Sequence, residues 1–141
     1  MACRPGLLRA NREADARVGG DDVVVPLSVL IVDDHAGFRR SARGLLEAEG
    51  LGVIGEASDG LEAIDLARVL RPDIVLLDIQ LPGLDGFAVA ERLAELVDPP
   101  IVVLISSRDA ATYRAQLANS PARAFIAKRD LTGQQLASLA S

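Results

Sequence analysis

Apolar runs of four to six residues recur along the chain, each followed by a stretch with helical spacing. Leu27 to Val32 (LSVLIV), Ile74 to Leu77 (IVLL), Ile101 to Ile105 (IVVLI) and Ala124 to Ala127 (AFIA) have no polar alternation, the mark of strands buried on both faces. Leu51 to Ala57 is a weaker run, interrupted by Gly52 and Gly55. Between the runs, apolar positions fall three or four apart. Phe38, Ala42, Leu45, Leu46 and Glu49 predict a first helix ended by Gly50, with Arg39, Arg40 and Arg43 on its wet side. Leu61, Ile64, Ala67 and Leu70 predict a second, closed by Pro72, and Phe87, Ala90, Leu93 and Val97 a third, stopped by Pro99-Pro100. Ala110 to Ala118 and Leu131 to Leu139 predict two shorter helices, the last with Leu136 and Leu139 inward. Asp59 and Asp85, each before a glycine at a helix start, are expected to cap. Five β–α units in series imply an α/β domain in which helices cover both faces of a parallel sheet. Right-handed crossovers make it an open, doubly wound sheet.

Residues 1–26 stand outside this pattern. Arg4, Arg9, Arg12 and Arg17 are balanced by Glu13, Asp15, Asp21 and Asp22, and Gly19-Gly20 interrupts any helix. The expected division is a disordered N-terminal extension, 1–26, and one domain, 27–141, with the extension compatible with a start codon assigned too far upstream. It has no apolar stretch of the kind a secretory leader carries, and no run approaches a membrane span. A net charge of −5 argues against a nucleic-acid groove as the main surface. One cysteine, Cys3, allows no internal disulfide, so a cytoplasmic setting is expected. Fourteen of the fifteen basic residues are Arg, which singles out the one lysine, Lys128.

The fold prediction collects the polar residues. In a parallel sheet every strand presents its carboxyl end to one edge, where ligands bind. Asp33 and Asp34 follow strand one, Asp78 ends strand three, Ser106 follows strand four and Lys128 follows strand five. Three carboxylates at one edge repel one another unless a cation joins them, and oxygen-only donors, with no His or Cys expected among them, favour Mg²⁺. An ammonium and a hydroxyl suit an anion on the far side of that cation, an arrangement made for a phosphoryl group, and Asp can accept one as a nucleophile. Asp33 and Asp34 also have the alternative of capping the first helix. His35 reads as a solvated residue near that helix start, and neither Cys3 nor Tyr113 enters the argument.

The motifs VDD (32–34), LLD (76–78), LPGLDG (81–86), ISS (105–107) and FIAK (125–128) resemble, in order and spacing, the receiver domain of bacterial two-component response regulators. The resemblance covers Leu27 to about Leu139 and is strongest to the branch that usually carries a C-terminal helix-turn-helix domain. It implies a flavodoxin-like sheet in the order 2-1-3-4-5, with Asp78 as phosphoacceptor. Asp33 and Asp34 would hold Mg²⁺, one directly and one mainly through water, with the backbone carbonyl of Gln80 and Asp78 completing the metal's protein ligands. It casts Ser106 as the switch hydroxyl, Lys128 as the partner of phosphoryl oxygens, Phe125 as the aromatic switch position, and 110–139 as the output surface.

Two departures from the family pattern matter. Arg129 stands where a proline often follows the lysine, so no cis peptide is expected there. Phe125 has no hydroxyl, so a switch at that position would work by packing alone. The implied partners are a sensor histidine kinase or phosphotransfer protein, with a homodimer through the 110–139 face as a further expectation and no contact with nucleic acid or membrane. The implied activity is a signalling switch that catalyses at most its own phosphoryl transfer and hydrolysis. Two other readings compete with this one: a phosphorylation-independent interaction module, and an Asp-nucleophile phosphatase. The full residue set opposes the first. Gln80 opposes the second, since it stands where such enzymes commonly place an acid–base carboxylate. Thirteen residues follow Lys128, so the expectation is a stand-alone receiver or a regulator lacking its effector domain.

Overall fold

The computed structural model describes residues 25–140, and the expected N-terminal extension lies almost wholly outside them. Five strands, β1 (Ser28–Val32), β2 (Gly52–Ala57), β3 (Ile74–Asp78), β4 (Ile101–Ser106) and β5 (Ala124–Ala127), form one parallel sheet. Their order is β2-β1-β3-β4-β5, the doubly wound order expected. The helices between and after them are α1 (Ala36–Ala48), α2 (Gly60–Leu70), α3 (Gly86–Ala94), α4 (Arg114–Ala118) and α5 (Gly133–Ala140). Short 3₁₀ turns, Ala110–Tyr113 and Lys128–Asp130, precede α4 and follow β5. None of the helices among the described residues is long and apolar enough to cross a membrane.

Successive strand residues point to opposite faces, and the core divides accordingly. Val29, Ile31, Ile74, Leu76, Val103 and Ile105 pack with Ala42 and Leu46 of α1 and Leu136 of α5. Leu30, Val32, Val75, Leu77 and Leu104 pack on the other face with α2 and α3. The apolar strands of the sequence are therefore apolar because both sides are covered. All five residues of β3, Asp78 included, are buried.

The helix faces needed correction. Leu61, assigned inward, is 63% exposed, and Val97 is 88% exposed. Leu45 and Leu70 are partly exposed, at 37% and 36%. In α2 the inward stripe is Gly60, Ala63, Ile64 and Ala67, and the small ones, Gly60, Ala63 and Ala67, let α2 lie close to α3. A Cβ on Gly60 would come 2.6 Å from Val89 Cγ2. Helix α3 ends at Ala94, so Val97 no longer follows its period, and the fully buried Val89 takes the place expected of Val97. The expected helix over Ala110 to Ala118 is split into a 3₁₀ turn and a single α-helical turn and a half, with only Tyr113 buried.

The expected caps hold. Asp59 Oδ1 accepts from Glu62 N at 2.9 Å and Asp85 Oδ1 from Ala88 N at 2.9 Å. Gly50, with φ +94°, takes the left-handed conformation that follows a helix end. Helix α1 begins differently from expectation. Its N-cap is His35, without a side-chain cap, and neither Asp33 nor Asp34 fills that position. Among the described residues every peptide bond is trans.

Candidate functional site

The carboxyl ends of β1 and β3 sit side by side, with Val32 paired to Leu77. Two backbone bonds extend the ladder past the strand ends and hold the next residues in place: Asp33 N donates to Ala57 O at 3.0 Å, and Ile79 N to Ile105 O at 2.9 Å. The result is a pair of carboxylates at the sheet edge that water hardly reaches. Asp33 is fully buried and Asp78 is 3% exposed, whereas Asp34 faces solvent.

Asp33 is held on every side. Its Oδ1 accepts from His35 N at 2.8 Å, with His35 Nδ1 3.2 Å away, and its backbone carbonyl accepts from Arg39 Nη1 at 2.6 Å. Its Oδ2 faces Lys128 Nζ at 2.5 Å. That contact lacks the angle of a hydrogen bond, which leaves Oδ2 a buried acceptor with unused capacity. Lys128 arrives from the end of β5, half-buried, its ammonium also 3.7 Å from Asp78 Oδ2 and 4.4 Å from the centre of the Phe38 ring. Asp78 Oδ1 in turn accepts from Gln80 N at 3.3 Å.

Charge crowding shows in Asp78. Burial is the largest cause pushing its carboxyl up to about 6, and the neighbouring Asp33 adds to the rise. Lys128 and the Gln80 N–H pull it down, but less. A carboxylate poised this way is stabilised by any added positive charge. Donor atoms of Asp33, Asp34, His35 and Asp78 lie within 4.8 Å of one another, and the carboxylate oxygens among them suit a hard divalent cation.

Of the predicted site residues, Asp33, Asp34, Asp78 and Lys128 come together in one cluster. Gln80 sits beside it through its N–H. Ser106, fully buried at the end of β4, bonds elsewhere: Arg108 N donates to its Oγ at 3.0 Å, and Tyr113 Oη lies 3.4 Å away. Phe125 is half-buried, 6.5 Å from Tyr113 between ring centres. His35 is 73% exposed yet joins the acidic pair, its Nδ1 3.1 Å from Asp34 Oδ1, so it is solvated and a neighbour of the cluster at once.

Three contributors were not anticipated. Arg39, assigned to the wet side of α1, is half-buried and links the Asp33 carbonyl to Glu56 of β2, its Nε 2.9 Å from Glu56 Oε1. Tyr113 faces Ser106. Gly86 does more than follow a cap: a Cβ there would meet Asp78 O at 2.5 Å and Ile79 Cα at 2.6 Å. Its N–H also donates to Ile79 O at 2.8 Å, closing the loop after Asp78 upon itself. Gly86→Ala is expected to displace the backbone of Asp78 and cost about 1–3 kcal/mol of stability in urea unfolding. An unchanged midpoint would show that the loop yields freely. A doublet such as Asp85-Gly86 signals a turn or helix start, but the backbone crossing beside it comes from elsewhere in the fold.

The comparisons with known proteins agree with this geometry. The pattern of the response regulator receiver domain matches residues 29–139. The transcription regulator BvgA of Bordetella pertussis is 38% identical over 102 residues, which are 72% of this chain and 49% of that protein. The chain spans about half the length of that relative and of a transcriptional regulator of Pseudomonas aeruginosa it also matches. Among solved structures, the signal receiver domain of the response regulator NarL from Mycobacterium tuberculosis superposes with a TM-score of 0.70 at 35% identity, over 82% of this chain and 96% of that one. CheY in a CheX–CheY–BeF3–Mg complex from Borrelia burgdorferi gives 0.69 at 29% identity, over 84% and 89%. With the matched sheet order, the buried aspartates at its edge and the lysine between them, the chain belongs to the response regulator receiver domain family.

Proposed function

We propose that the domain is a phosphoacceptor switch of a two-component phosphorelay, with Asp78 as the residue phosphorylated. The observation that carries this reading is the placement of Lys128 between two buried carboxylates, 2.5 Å from Asp33 and 3.7 Å from Asp78. A half-buried ammonium there neutralises part of the negative charge at rest and is in reach of phosphoryl oxygens once Asp78 carries them. Asp33, Asp34 and Asp78, with the Gln80 carbonyl, would hold Mg²⁺. When bound, the cation supplies positive charge that lets a phosphoryl group approach an anionic site.

The donor would be a phosphohistidine of a sensor kinase or phosphotransfer protein. An Asp78 carboxylate oxygen forms the new P–O bond as the P–N bond breaks. The electron pair leaves with the imidazole, which takes a proton from solvent. Ser106 would then turn its hydroxyl to the phosphoryl group, and the 110–139 surface, with Phe125, would carry the change to a partner by shifting a two-state equilibrium. No external metabolite is turned over.

The test is incubation of the chain with acetyl phosphate and Mg²⁺, read by intact mass. The expected result is one added phosphoryl group, located on Asp78 by reduction and peptide mapping, and no addition when Mg²⁺ is chelated beforehand. No addition to the wild type, or equal addition to Asp78→Asn, would overturn the proposal and favour a phosphorylation-independent interaction module.

A further inference from the structure

Three aromatic rings meet next to the buried Ser106. Tyr113, 8% exposed at the end of the 3₁₀ turn after β4, has its ring centre 5.8 Å from that of Phe87 on α3 and 6.5 Å from that of Phe125 on β5. Its hydroxyl lies 3.4 Å from Ser106 Oγ. Phe125 brings no hydroxyl, but the fold delivers a phenol to Ser106 from a different element. We infer that Tyr113 is a positioning residue: its hydroxyl holds the Ser106 hydroxyl in the resting orientation and so sets how readily the domain takes up a phosphoryl group. The inference rests on the phosphoacceptor reading above.

The hydrogen-bond inventory supplies the reason. Both observed partners of Ser106, the Tyr113 hydroxyl and the Arg108 N–H, lie outside the carboxylate cluster. A serine hydroxyl has a single proton to donate. Either hydroxyl can donate in the pair with Tyr113, and in both cases the Ser106 hydroxyl gives up the phenol when it turns its proton to a phosphoryl oxygen on Asp78. The charged oxygen is the stronger acceptor. The resting contact is also longer than the roughly 2.7–2.8 Å of a good hydroxyl pair, so it is readily given up.

Release of Ser106 leaves the buried phenol without that partner, and a buried tyrosine hydroxyl normally keeps one. The ring then gains from moving against Phe87 and Phe125. Phe87 also lines a surface groove of about 270 Å³ between α3 and α4, with Glu91, Ala115, Gln116 and Asn119. Motion of Tyr113 would reach the surface there.

The chain has one tyrosine and no tryptophan, so its tyrosine emission reports Tyr113 alone. The full chain is titrated with beryllofluoride in the presence of Mg²⁺, and labelling by acetyl phosphate is followed by intact mass, for wild type and Tyr113→Phe. Tyr113→Phe keeps the ring and removes only the resting-state hydrogen bond. Its affinity for beryllofluoride and its labelling rate are expected to rise about threefold to tenfold, with circular dichroism and melting showing an intact fold. Wild-type emission is expected to change on beryllofluoride binding. Affinity and rate within about twofold of wild type, or below it, overturn the inference, as does an unchanged emission. A wild type that takes neither beryllofluoride nor phosphate overturns this inference and the phosphoacceptor reading together. Normal uptake by both proteins overturns the inference alone.

Discussion

Lys128→Met is expected to cost about 3 kcal/mol of stability near pH 7, because it leaves two buried carboxylates without their cation. The methionine preserves most of the side chain's apolar length, so packing accounts for little of the loss, while the cation–π contact with Phe38 goes with the ammonium. Two conditions should restore stability. Lys128 is what lowers the Asp78 pKa most, so in its absence that carboxyl takes up a proton at a higher pH than about 6, and acidification relieves the variant early. Mg²⁺ should relieve it as well, since the cation replaces the missing charge and finds a site of more negative potential. Urea unfolding of both proteins, with and without Mg²⁺ and across pH, measures all three effects. A loss under about 1 kcal/mol that ignores pH and Mg²⁺ would make Lys128 an ordinary surface lysine.

Asp78→Asn is expected to act in the opposite direction on stability while abolishing phosphorylation. The folded-state pKa of Asp78, about 6, stands above the ordinary value of 3.8. The folded protein therefore binds more protons than the unfolded chain between roughly pH 4 and 6, and its stability falls as pH rises through that window. Above about 6 the penalty is complete. The asparagine carries no charge, so near pH 7 the variant should be more stable than wild type by about 1–3 kcal/mol, and near pH 4 the gain should vanish. The amide oxygen can still accept from Gln80 N, which preserves the local backbone. Thermal or urea unfolding at several pH values checks the sign. A variant less stable at neutral pH would show that Asp78 is satisfied by its neighbours as a carboxylate. Under the proposed function the cost is the whole reaction, since an amide oxygen does not accept a phosphoryl group. Stability and function are thus opposed at this position, the pattern expected of a group buried for its chemistry.

Much of this molecule can be read from its chain, and the limits of that reading follow a physical division. Continuous apolar runs such as Ile74 to Leu77 and Ile101 to Ile105 determine buried parallel strands, because a residue run that lacks polar alternation can only be covered on both sides. Strand polarity then assigns Asp33, Asp78, Ser106 and Lys128 to one edge, and caps such as Asp59 and Asp85 are local enough to be recognised by residue type. What remained out of reach depends on residues distant in the chain. Whether Leu61 or Ala63 faces inward is decided by how closely α2 lies against α3, not by the period, which both fit in part. Val97 follows the spacing of α3 but falls past its last turn. Gly86 matters because the Asp78 backbone crosses it. Arg39 and Tyr113 differ in no local way from a solvated arginine and a spare aromatic; tertiary packing alone brings one to the Asp33 carbonyl and the other to the Ser106 hydroxyl. Composition and period determine which residues stand at the edge of this sheet, while the distances that decide a proton or a hydrogen bond arise only when the elements close on one another.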